Sequence, residues 1–467
     1  MSPSPRDQSD GGSEAAHRPF PDGFVWGAAS SSYQVEGAVA EGGRAPSIWD
    51  TFSHTPGAID NDDTGDVACD HYHRWPEDLD LMVELGIASY RFSVAWPRVM
   101  PDGHTVNQEG LDFYRRLVDG LLERGIRPLM TLYHWDLPQT LDHGDAGGWL
   151  SREVPDRFTD FAVVMGKELG DRVPAVTTLN EPWCSAYLGY ATGEHAPGRR
   201  VLAEAYRAAH HLNLAHGRAV AALRSVVPQT VDVSVALNLH QVEASSDAAE
   251  DLAAAEHVDL IANRIFLDPM FGTGYSDALR TTTAGLSDWS FVRPGDEAEI
   301  CQPVDSIGVN FYNPSRVRGG PAGDSTPFPG TDRAFYVDIP GPHTVMNWPI
   351  VPSALTDLLL RVQRDVGLPI HVTENGLGAH DVVDPDGVVR DTDRIEYVRD
   401  HLAAVLDACD AGADVRGYYA WTLLDNFEWA WGYDKRFGLV HVDFADQRRT
   451  PKESARWYAG VIERHAL

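Results

Sequence analysis

The sequence is poor in cysteine and in basic residues. Its four cysteines, Cys69, Cys184, Cys301 and Cys409, form no C-x-x-C pair and no spacing typical of a metal site. We therefore expect reduced, mostly buried thiols and no bound metal. Lysine and arginine number 38 against 69 acidic residues, which gives a formal charge of −31. This charge repels phosphate backbones and anionic lipids, so neither nucleic acid nor a membrane surface is an expected partner.

Long apolar runs are also absent. No stretch approaches the roughly 18 apolar residues of a membrane span. Residues 1–18 are rich in Ser, Pro, Gly and charge and lack the apolar segment of a signal peptide. We predict a disordered tail over residues 1–18, a single domain over residues 19–467, and a cytoplasmic location. No G-x-G-x-x-G opens a helix after an early strand, which argues against a nucleotide-binding oxidoreductase.

Short β-rich apolar runs, in contrast, recur along the whole chain, with segments of helical period between several of them. The eight predicted strands are Phe24–Ser30, Tyr90–Trp96, Arg127–Tyr133, Ala175–Asn180, Val233–Leu239, Ser306–Tyr312, Ile370–Asn375 and Gly417–Leu424. The predicted helices are Pro76–Leu85, Leu111–Arg124, Pro155–Leu169, Leu202–Val226, Ser353–Val366 and Arg394–Ala411. Eight strand–helix repeats are typical of a closed parallel (β/α)8 TIM barrel, although an open doubly wound sheet alternates in the same way.

Polar and aromatic residues follow the predicted strands at their carboxyl ends, which favours the barrel, because barrel enzymes build their sites on that rim. Two stretches, Thr273–Pro303 and Asn313–Trp348, are rich in Gly, Pro, Asp and Thr, and we predict irregular loops that cover the site. The segment Thr140–Gly148 is predicted to be an exposed turn.

Two carboxylates stand out at strand ends: Glu181 in Thr-Leu-Asn-Glu-Pro-Trp and Glu374 in Ile-His-Val-Thr-Glu-Asn-Gly. If their strands are close in the barrel, both acids point into one pocket. Cleavage of a glycosidic bond needs such a pair, one acid to protonate the leaving oxygen and one to meet the cationic sugar carbon. A separation of roughly 5 Å would allow direct covalent capture of the sugar.

The chain resembles glycoside hydrolase family 1, the β-glucosidase group, from Phe20 to about Tyr458. The motifs that carry the resemblance are Phe24-Val-Trp-Gly-Ala-Ala-Ser, Ser32-Tyr-Gln-Val-Glu-Gly, Tyr90-Arg-Phe-Ser-Val-Ala-Trp-Pro-Arg, Thr131-Leu-Tyr-His-Trp-Asp-Leu-Pro, Thr178-Leu-Asn-Glu-Pro-Trp, Val372-Thr-Glu-Asn-Gly and Trp421-Thr-Leu-Leu-Asp-Asn-Phe-Glu-Trp. The resemblance implies a single barrel with long loops and a retaining exo-β-glycosidase without cofactor. Its expected substrates are β-glucosides such as cellobiose or aryl and alkyl glucosides, as in cellulose degradation.

The resemblance also implies a role for each residue around the two acids. Glu181 would be the general acid and then the base, and Glu374 the nucleophile that forms a glycosyl-enzyme ester. Asn180 would hold the sugar 2-hydroxyl. Arg91 and the hydroxyl of Tyr312 would stabilise the charged nucleophile, whose negative charge would keep Glu181 protonated near neutral pH.

A second set would hold the sugar. The expected ligands of the sugar hydroxyls are Gln34, His134, Asn180, Glu428 and Trp429. Trp421 is expected to stack under the sugar ring and Trp348 beside the aglycone. Asn310 is expected to support the site. Trp135 is expected to pack behind them. Because a negative Glu428 would repel a phosphate, the expected glycone is a free hexose and not a 6-phosphorylated sugar.

The chain departs from the family around Trp348, where Met346-Asn-Trp-Pro replaces Met-Gly-Trp-Glu of many relatives, so aglycone preference stays open. Two alternative functions also stay open. A sugar-binding receptor on an inactive scaffold would typically lose one acid, whereas this chain keeps both. A transglycosidase would differ only in its affinity for an acceptor alcohol over water. Galactosides and fucosides are further candidate substrates, and the sequence makes no prediction of oligomeric state.

Overall fold

The computed structural model describes residues 18–144, 147–272 and 274–467. Eight parallel strands close into a barrel in which each strand pairs with the next and the last pairs with the first. They are β1 Val25–Ala29, β2 Ser89–Ser93, β3 Arg127–Tyr133, β4 Ala175–Asn180, β5 Asp232–Leu237, β6 Ser306–Asn310, β7 Ile370–Asn375 and β8 Val415–Trp421. The predicted TIM barrel is confirmed, and the open doubly wound sheet is excluded because β1 and β8 are hydrogen-bonded.

One main helix follows each strand and packs on the outside of the barrel. These helices are α1 His71–Glu84, α2 Gln108–Glu123, α3 Glu153–Leu169, α4 Glu204–Val226, α5 Ala249–Asp259, α6 Pro352–Val366, α7 Thr392–Asp410 and α8 Glu453–Arg464. The sequence of α2 shows why: Leu111, Tyr114, Leu117, Val118 and Leu121 are buried and repeat at helical spacing, so one face meets the strands.

The loops between these strands and helices contain shorter helices and strands. The additional helical segments are Ser32–Val35, Ile48–Ser53, Asp60–Asp62, Trp96–Val99, Gln139–Leu141, Gly148–Leu150, Cys184–Thr192, Leu260–Arg264, Ile265–Met270, Asp277–Thr283, Asp296–Ile300 and Trp429–Trp431. Five short strands complete the fold: Val242–Ala244, Ser315–Arg318 and Phe335–Tyr336 form one small sheet, and Val440–Asp443 and Arg448–Pro451 form a hairpin.

The two predicted covering loops differ from each other. The stretch 274–303 contains two short helices and packs against α4, where Asp296 accepts from His210 and Tyr275 contacts Asn213. The prediction that it covers the site was wrong, because none of its described residues lines the main cavity. The stretch 313–348 does line that cavity, and it contains the two strands Ser315–Arg318 and Phe335–Tyr336.

Arg18, the first described residue, lies beside the last residue of the chain, and its backbone is hydrogen-bonded to that of Leu467. The predicted disordered tail falls on residues 1–17, which lie outside the described residues, and on Arg18. None of the described helices is long and apolar enough to cross a membrane. The four cysteines are free thiols, two of them buried (Cys69 and Cys184), one half-buried (Cys409) and one exposed (Cys301).

Candidate active site

A cavity of about 840 Å³ opens at the carboxyl ends of the barrel strands. Its wall contains both candidate acids, of which Glu374 lies in β7, together with residues that follow β3, β4, β5, β6 and β8. The predicted site residues in the wall are His134, Glu181, Asn310, Tyr312, Trp348, Glu374, Trp421, Glu428 and Trp429. The fold therefore brings together, from five separate loops or strand ends, side chains that are far apart in the sequence.

The three remaining predicted residues, Gln34, Arg91 and Asn180, are fully buried behind this wall. Arg91 and Asn180 contact the residues of the wall directly, as described below. The amide nitrogen of Gln34 donates to Oδ1 of Asn426 at 3.1 Å and to the carbonyl oxygen of Phe427 at 2.8 Å. In the structure Gln34 thus holds the loop after β8, whereas the hydroxyl-binding role that the resemblance implies for it stays a prediction.

Local irregularities of the sheet place the two acids. Glu374 is in β7 at a point where the pairing with β6 shifts register, and a similar shift separates Thr177 from Asn180 in β4, next to Glu181. Glu181 has a φ of 46°, a left-handed conformation that is uncommon for residues other than glycine. Bulges and left-handed residues at functional sites re-aim side chains, and here both acids turn into the cavity.

Glu374 has a strong donor on each carboxyl oxygen. The guanidinium of Arg91 donates to Oε1, and the hydroxyl of Tyr312 donates to Oε2 at 2.8 Å. Arg91 also donates to Oδ1 of Asn180 at 2.6 Å, which connects the nucleophile candidate to the residue before Glu181. Both partners favour the ionised form of Glu374 because they donate to its negative charge.

Glu181 has only neutral donors. The amide of Asn310 donates to Oε1 at 2.7 Å, and the thiol of Cys184 donates to Oε2 at 3.2 Å. Asn310 also donates to Oδ1 of Asn180 at 2.9 Å, and it is paired with Glu374 in the register of β6 and β7. Asn310 therefore lies next to both acids.

The surroundings of the two acids favour different protonation states: Glu181 protonated and Glu374 ionised. Burial and the charge of Glu374 raise the pKa of Glu181 to about 8. Burial also raises the pKa of Glu374, but Arg91 and Tyr312 oppose that rise. Since only Glu374 has a guanidinium partner, a proton shared between the two acids resides on Glu181.

Glu428 differs from its expected state as a carboxylate. Burial, together with the charges of Glu374 and Glu181, raises the pKa of Glu428 to about 8. Gln34 and Trp421 oppose this rise in pKa, while Oε2 of Glu428 has no hydrogen-bond partner among the described residues. A buried oxygen without a partner in a cavity wall is suited to a ligand hydroxyl, because an unmet hydrogen bond there is costly.

Aromatic rings form the floor and one side of the cavity. His134 stacks against Trp421 and Trp429, with ring centroids 5.8 and 5.9 Å apart and planes inclined by 19° in both pairs. Trp135 packs on Trp429 at 4.5 Å and donates its indole N–H to the carbonyl oxygen of Asn180. Burial and Arg91 lower the pKa of His134 well below its usual range, so its ring is neutral.

The outer part of the cavity is formed by Trp348, which is half-buried and lies against Tyr312 with ring centroids 5.4 Å apart. Phe437 supports the same two rings from a distance of 6.1 to 6.2 Å. Asn347, next to Trp348, has a φ of 58°. The altered loop therefore still brings an aromatic ring to the entrance of the cavity.

Sequence reasoning missed several residues of the wall, among them Cys184, Trp183, His195, Trp431 and Phe437. A signal existed for Trp183, which ends the motif that contains Glu181, for Cys184, which comes next, and for Trp431, which follows Glu428 by three positions. Phe437 carries no comparable signal, since it reaches the cavity through the fold of the loop after β8. In the described residues no group of three or more His, Cys, Asp or Glu side chains has the arrangement of a metal site.

The fold and the site together define a class: barrel proteins with a pair of dissimilar acids on the carboxyl rim, the arrangement of glycoside-cleaving enzymes. The family described as glycosyl hydrolase family 1 matches residues 16–467. The chain belongs to this family.

Individual relatives agree with this placement. The chain is 51% identical over 462 residues to a bifunctional beta-D-glucosidase/beta-D-fucosidase of Bifidobacterium breve, with 96% of this chain and 99% of the relative covered. It is 42% identical to beta-glucosidase A of Thermotoga maritima, with 96% and 98% covered. Its structure is similar to a beta-glucosidase from Thermotoga maritima in complex with glucoimidazole, with a TM-score of 0.91, 41% identity, and 96% and 100% covered.

Proposed function

We propose that this protein is a retaining β-glucosidase that removes a terminal glucosyl unit through a covalent glycosyl-enzyme intermediate. The observation that carries the proposal is the pair Glu181 and Glu374, which line one cavity, lie next to the same Asn310 and have opposite electrostatic surroundings. Family membership and the names of the relatives support the same activity. The separation of roughly 5 Å between the two carboxyl groups stays a prediction.

In the first step Glu181 gives its proton to the glycosidic oxygen and Glu374 attacks the anomeric carbon. The bond between that carbon and the leaving oxygen breaks, the aglycone leaves as an alcohol, and an ester forms between the sugar and Glu374. Arg91 and Tyr312 hold Glu374 ionised and in place for this attack. The raised pKa of Glu181, about 8, keeps its proton available near neutral pH.

In the second step water hydrolyses the ester. Glu181, now ionised, takes a proton from the water, whose oxygen bonds to the anomeric carbon while the ester bond to Glu374 breaks. Loss of the charge on Glu374 in the ester lowers the pKa of Glu181, because the like-charge term that raised it disappears. The same residue therefore serves as acid in one step and as base in the next.

The proposed glycone is a free hexose in the β-configuration. Glu428, His134, Gln34 and Asn180 would bind its hydroxyls, with Trp421 under the ring and Trp348 beside the aglycone. The one Lys or Arg side chain in the described wall of the cavity is Arg316, and it is paired with Glu243 at 3.0 Å, so the wall has no free guanidinium or ammonium for a phosphate. Activity on β-fucosides is proposed from the Bifidobacterium breve relative. A cytoplasmic location and a part in cellulose degradation stay predictions.

The experiment that tests the function is incubation with p-nitrophenyl β-glucoside, with the anomeric form of the released glucose followed by NMR. We expect release of nitrophenol and β-glucose as the first product. A slow 2-deoxy-2-fluoroglucosyl substrate should add one fluoroglucosyl mass to the peptide that contains Glu374. Ligand protection against heat without product release would indicate a receptor instead. Transfer of glucose to added methanol in preference to water would indicate a transglycosidase.

A further inference from the structure

Cys184 occupies an unusual position beside the candidate acid. It follows Glu181 by three residues and starts the segment Cys184–Thr192, and its backbone N–H donates to the carbonyl oxygen of Glu181 at 3.0 Å. Its thiol turns back and donates to Oε2 of Glu181 at 3.2 Å. The amide of Asn238 donates to the same sulfur at 3.4 Å. The thiol is therefore held from both sides in the wall of the cavity.

The thiol completes the set of contacts on the Glu181 carboxyl. Oε1 accepts from Asn310, and the described protein contact of Oε2 is Cys184. Burial and the neighbouring charge of Glu181 raise the pKa of the Cys184 thiol well above its usual range. The sulfur therefore keeps its proton over the working pH range and acts as a weak neutral donor and not as a nucleophile.

A donor on Oε2 favours the ionised form of Glu181, since a carboxylate accepts a hydrogen bond better than a carboxylic acid does. Burial and the charge of Glu374 favour the protonated form. The titratable and charged groups that surround the pair are Glu374, Arg91, Glu428, Tyr312 and Tyr336. Arg91 is the only one of these that also favours ionisation, and it donates to Glu374 and Asn180, not to Glu181.

We propose that Cys184 is a positioning residue for acid–base catalysis: its thiol orients the Glu181 carboxyl and favours the form of that acid that has released its proton. The inference rests on the proposed role of Glu181. The thiol assists the transfer of the proton to the leaving oxygen in the first step, and it holds the carboxylate ready for water in the second. It touches Glu181 and acts through it.

The test measures the pH dependence of kcat/KM for p-nitrophenyl β-glucoside in three variants substituted at Cys184. Cys184→Ala and Cys184→Val remove the donor at two different side-chain volumes, and Cys184→Ser keeps a donor. The high-pH limb of this profile reports ionisation of the acid in the free enzyme. We expect the limb to move upward by about half to one pH unit in the Ala and Val variants. In the Ser variant it stays near the wild-type position.

Cys409→Ala is the matched control, because it removes a half-buried thiol of α7 far from the cavity, and its profile should superimpose on that of the wild type. Unchanged high-pH limbs in the active Ala and Val variants would overturn the inference and leave the proposed function standing. An equal shift in the Ser variant would also overturn it, since the loss of a donor would not be the cause. A wild-type enzyme without turnover overturns the proposed function and the inference together.

Discussion

The two ends of the barrel use the same eight strands in different ways. At the carboxyl end the cavity of about 840 Å³ contains three buried carboxyl groups, Glu181, Glu374 and Glu428, of which Glu374 accepts from the guanidinium of Arg91. At the amino end a cavity of about 60 Å³ is lined by a mixture of apolar, charged and small polar residues, among them Ser89, Ser234 and Ser306. There Ser89 contacts Tyr419 at 3.0 Å.

The amino end pairs several of its polar groups across strands, although Nδ1 of His371 there has no hydrogen-bond partner among the described residues. The hydroxyl of Ser306 donates to Oδ1 of Asp232 at 2.7 Å, and Thr177 contacts Ser234 at 3.0 Å. The carboxyl end instead keeps an oxygen of Glu428 without a described partner and holds two acids at raised pKa values of about 8. Paired polar groups at the amino end stabilise the barrel. The unpaired oxygen and the shifted acids at the carboxyl end reduce its stability, but they can interact with a ligand.

The largest effect should come from removing the nucleophile at the carboxyl end. Glu374→Gln keeps the shape of the side chain but cannot form the glycosyl ester, so we expect kcat/KM for p-nitrophenyl β-glucoside to fall by at least about 10³-fold. Steady-state kinetics on the folded variant, checked by circular dichroism, measures this. A fall of less than tenfold would contradict the assignment of the carboxyl end as the site of chemistry.

Glu181→Gln should show a loss that depends on the leaving group. A poor leaving group such as methanol needs the proton, so we expect kcat/KM for methyl β-glucoside to fall by about 10² to 10⁴-fold. For 2,4-dinitrophenyl β-glucoside, whose phenolate leaves unaided, the fall should stay within about tenfold. Comparing the two substrates in one variant supplies the control, and equal losses for both would show that Glu181 does not act as the acid.

Glu181→Gln should also show how much folding stability the raised pKa of Glu181 removes as the pH rises. A carboxyl whose pKa rises on folding, from 4.5 to about 8 for Glu181, contributes stability below about pH 4.5 and loses it as the pH rises toward 8. Gln does not titrate, so the Tm of Glu181→Gln minus that of the wild type should increase by a few degrees between pH 5 and pH 8. Differential scanning calorimetry at both pH values measures it. A difference that stays constant with pH would contradict burial of a shifted acid.

The smallest effect is expected at the amino end. Ser306→Ala removes the donor to a half-buried Asp232 carboxyl, whose pKa burial already raises, so stability should fall by about 1 kcal/mol and Tm by a few degrees at most. The kcat/KM value should remain within about twofold of the wild type. A change in kcat/KM of tenfold or more would remove the distinction between the two ends of the barrel.

The strand positions and the two candidate acids could be predicted from the sequence, because each is set by the residue types of one short segment. The eight strands lie within three residues of their predicted bounds, since apolar β-rich runs between helical segments leave little freedom in a barrel. Glu181 and Glu374 were recognisable because each stands at the end of such a run. The stretch 274–303 was misjudged, because its composition suggests a loop over the site and only its packing against α4 shows otherwise.

The sequence by itself determined the order of strands and helices, the end of the barrel on which the candidate acids lie, and the choice of Glu181 and Glu374 as those candidates, because each depends on the residue types in one short segment. The tertiary structure alone decided how these acids differ. Asn310 lies next to both acids, Arg91 donates to Glu374 and not to Glu181, and the thiol of Cys184 donates to Glu181. In the first two cases the partners are tens to hundreds of residues apart in the sequence. Protonation depends on such distances and on burial, and these exist only once the barrel has closed.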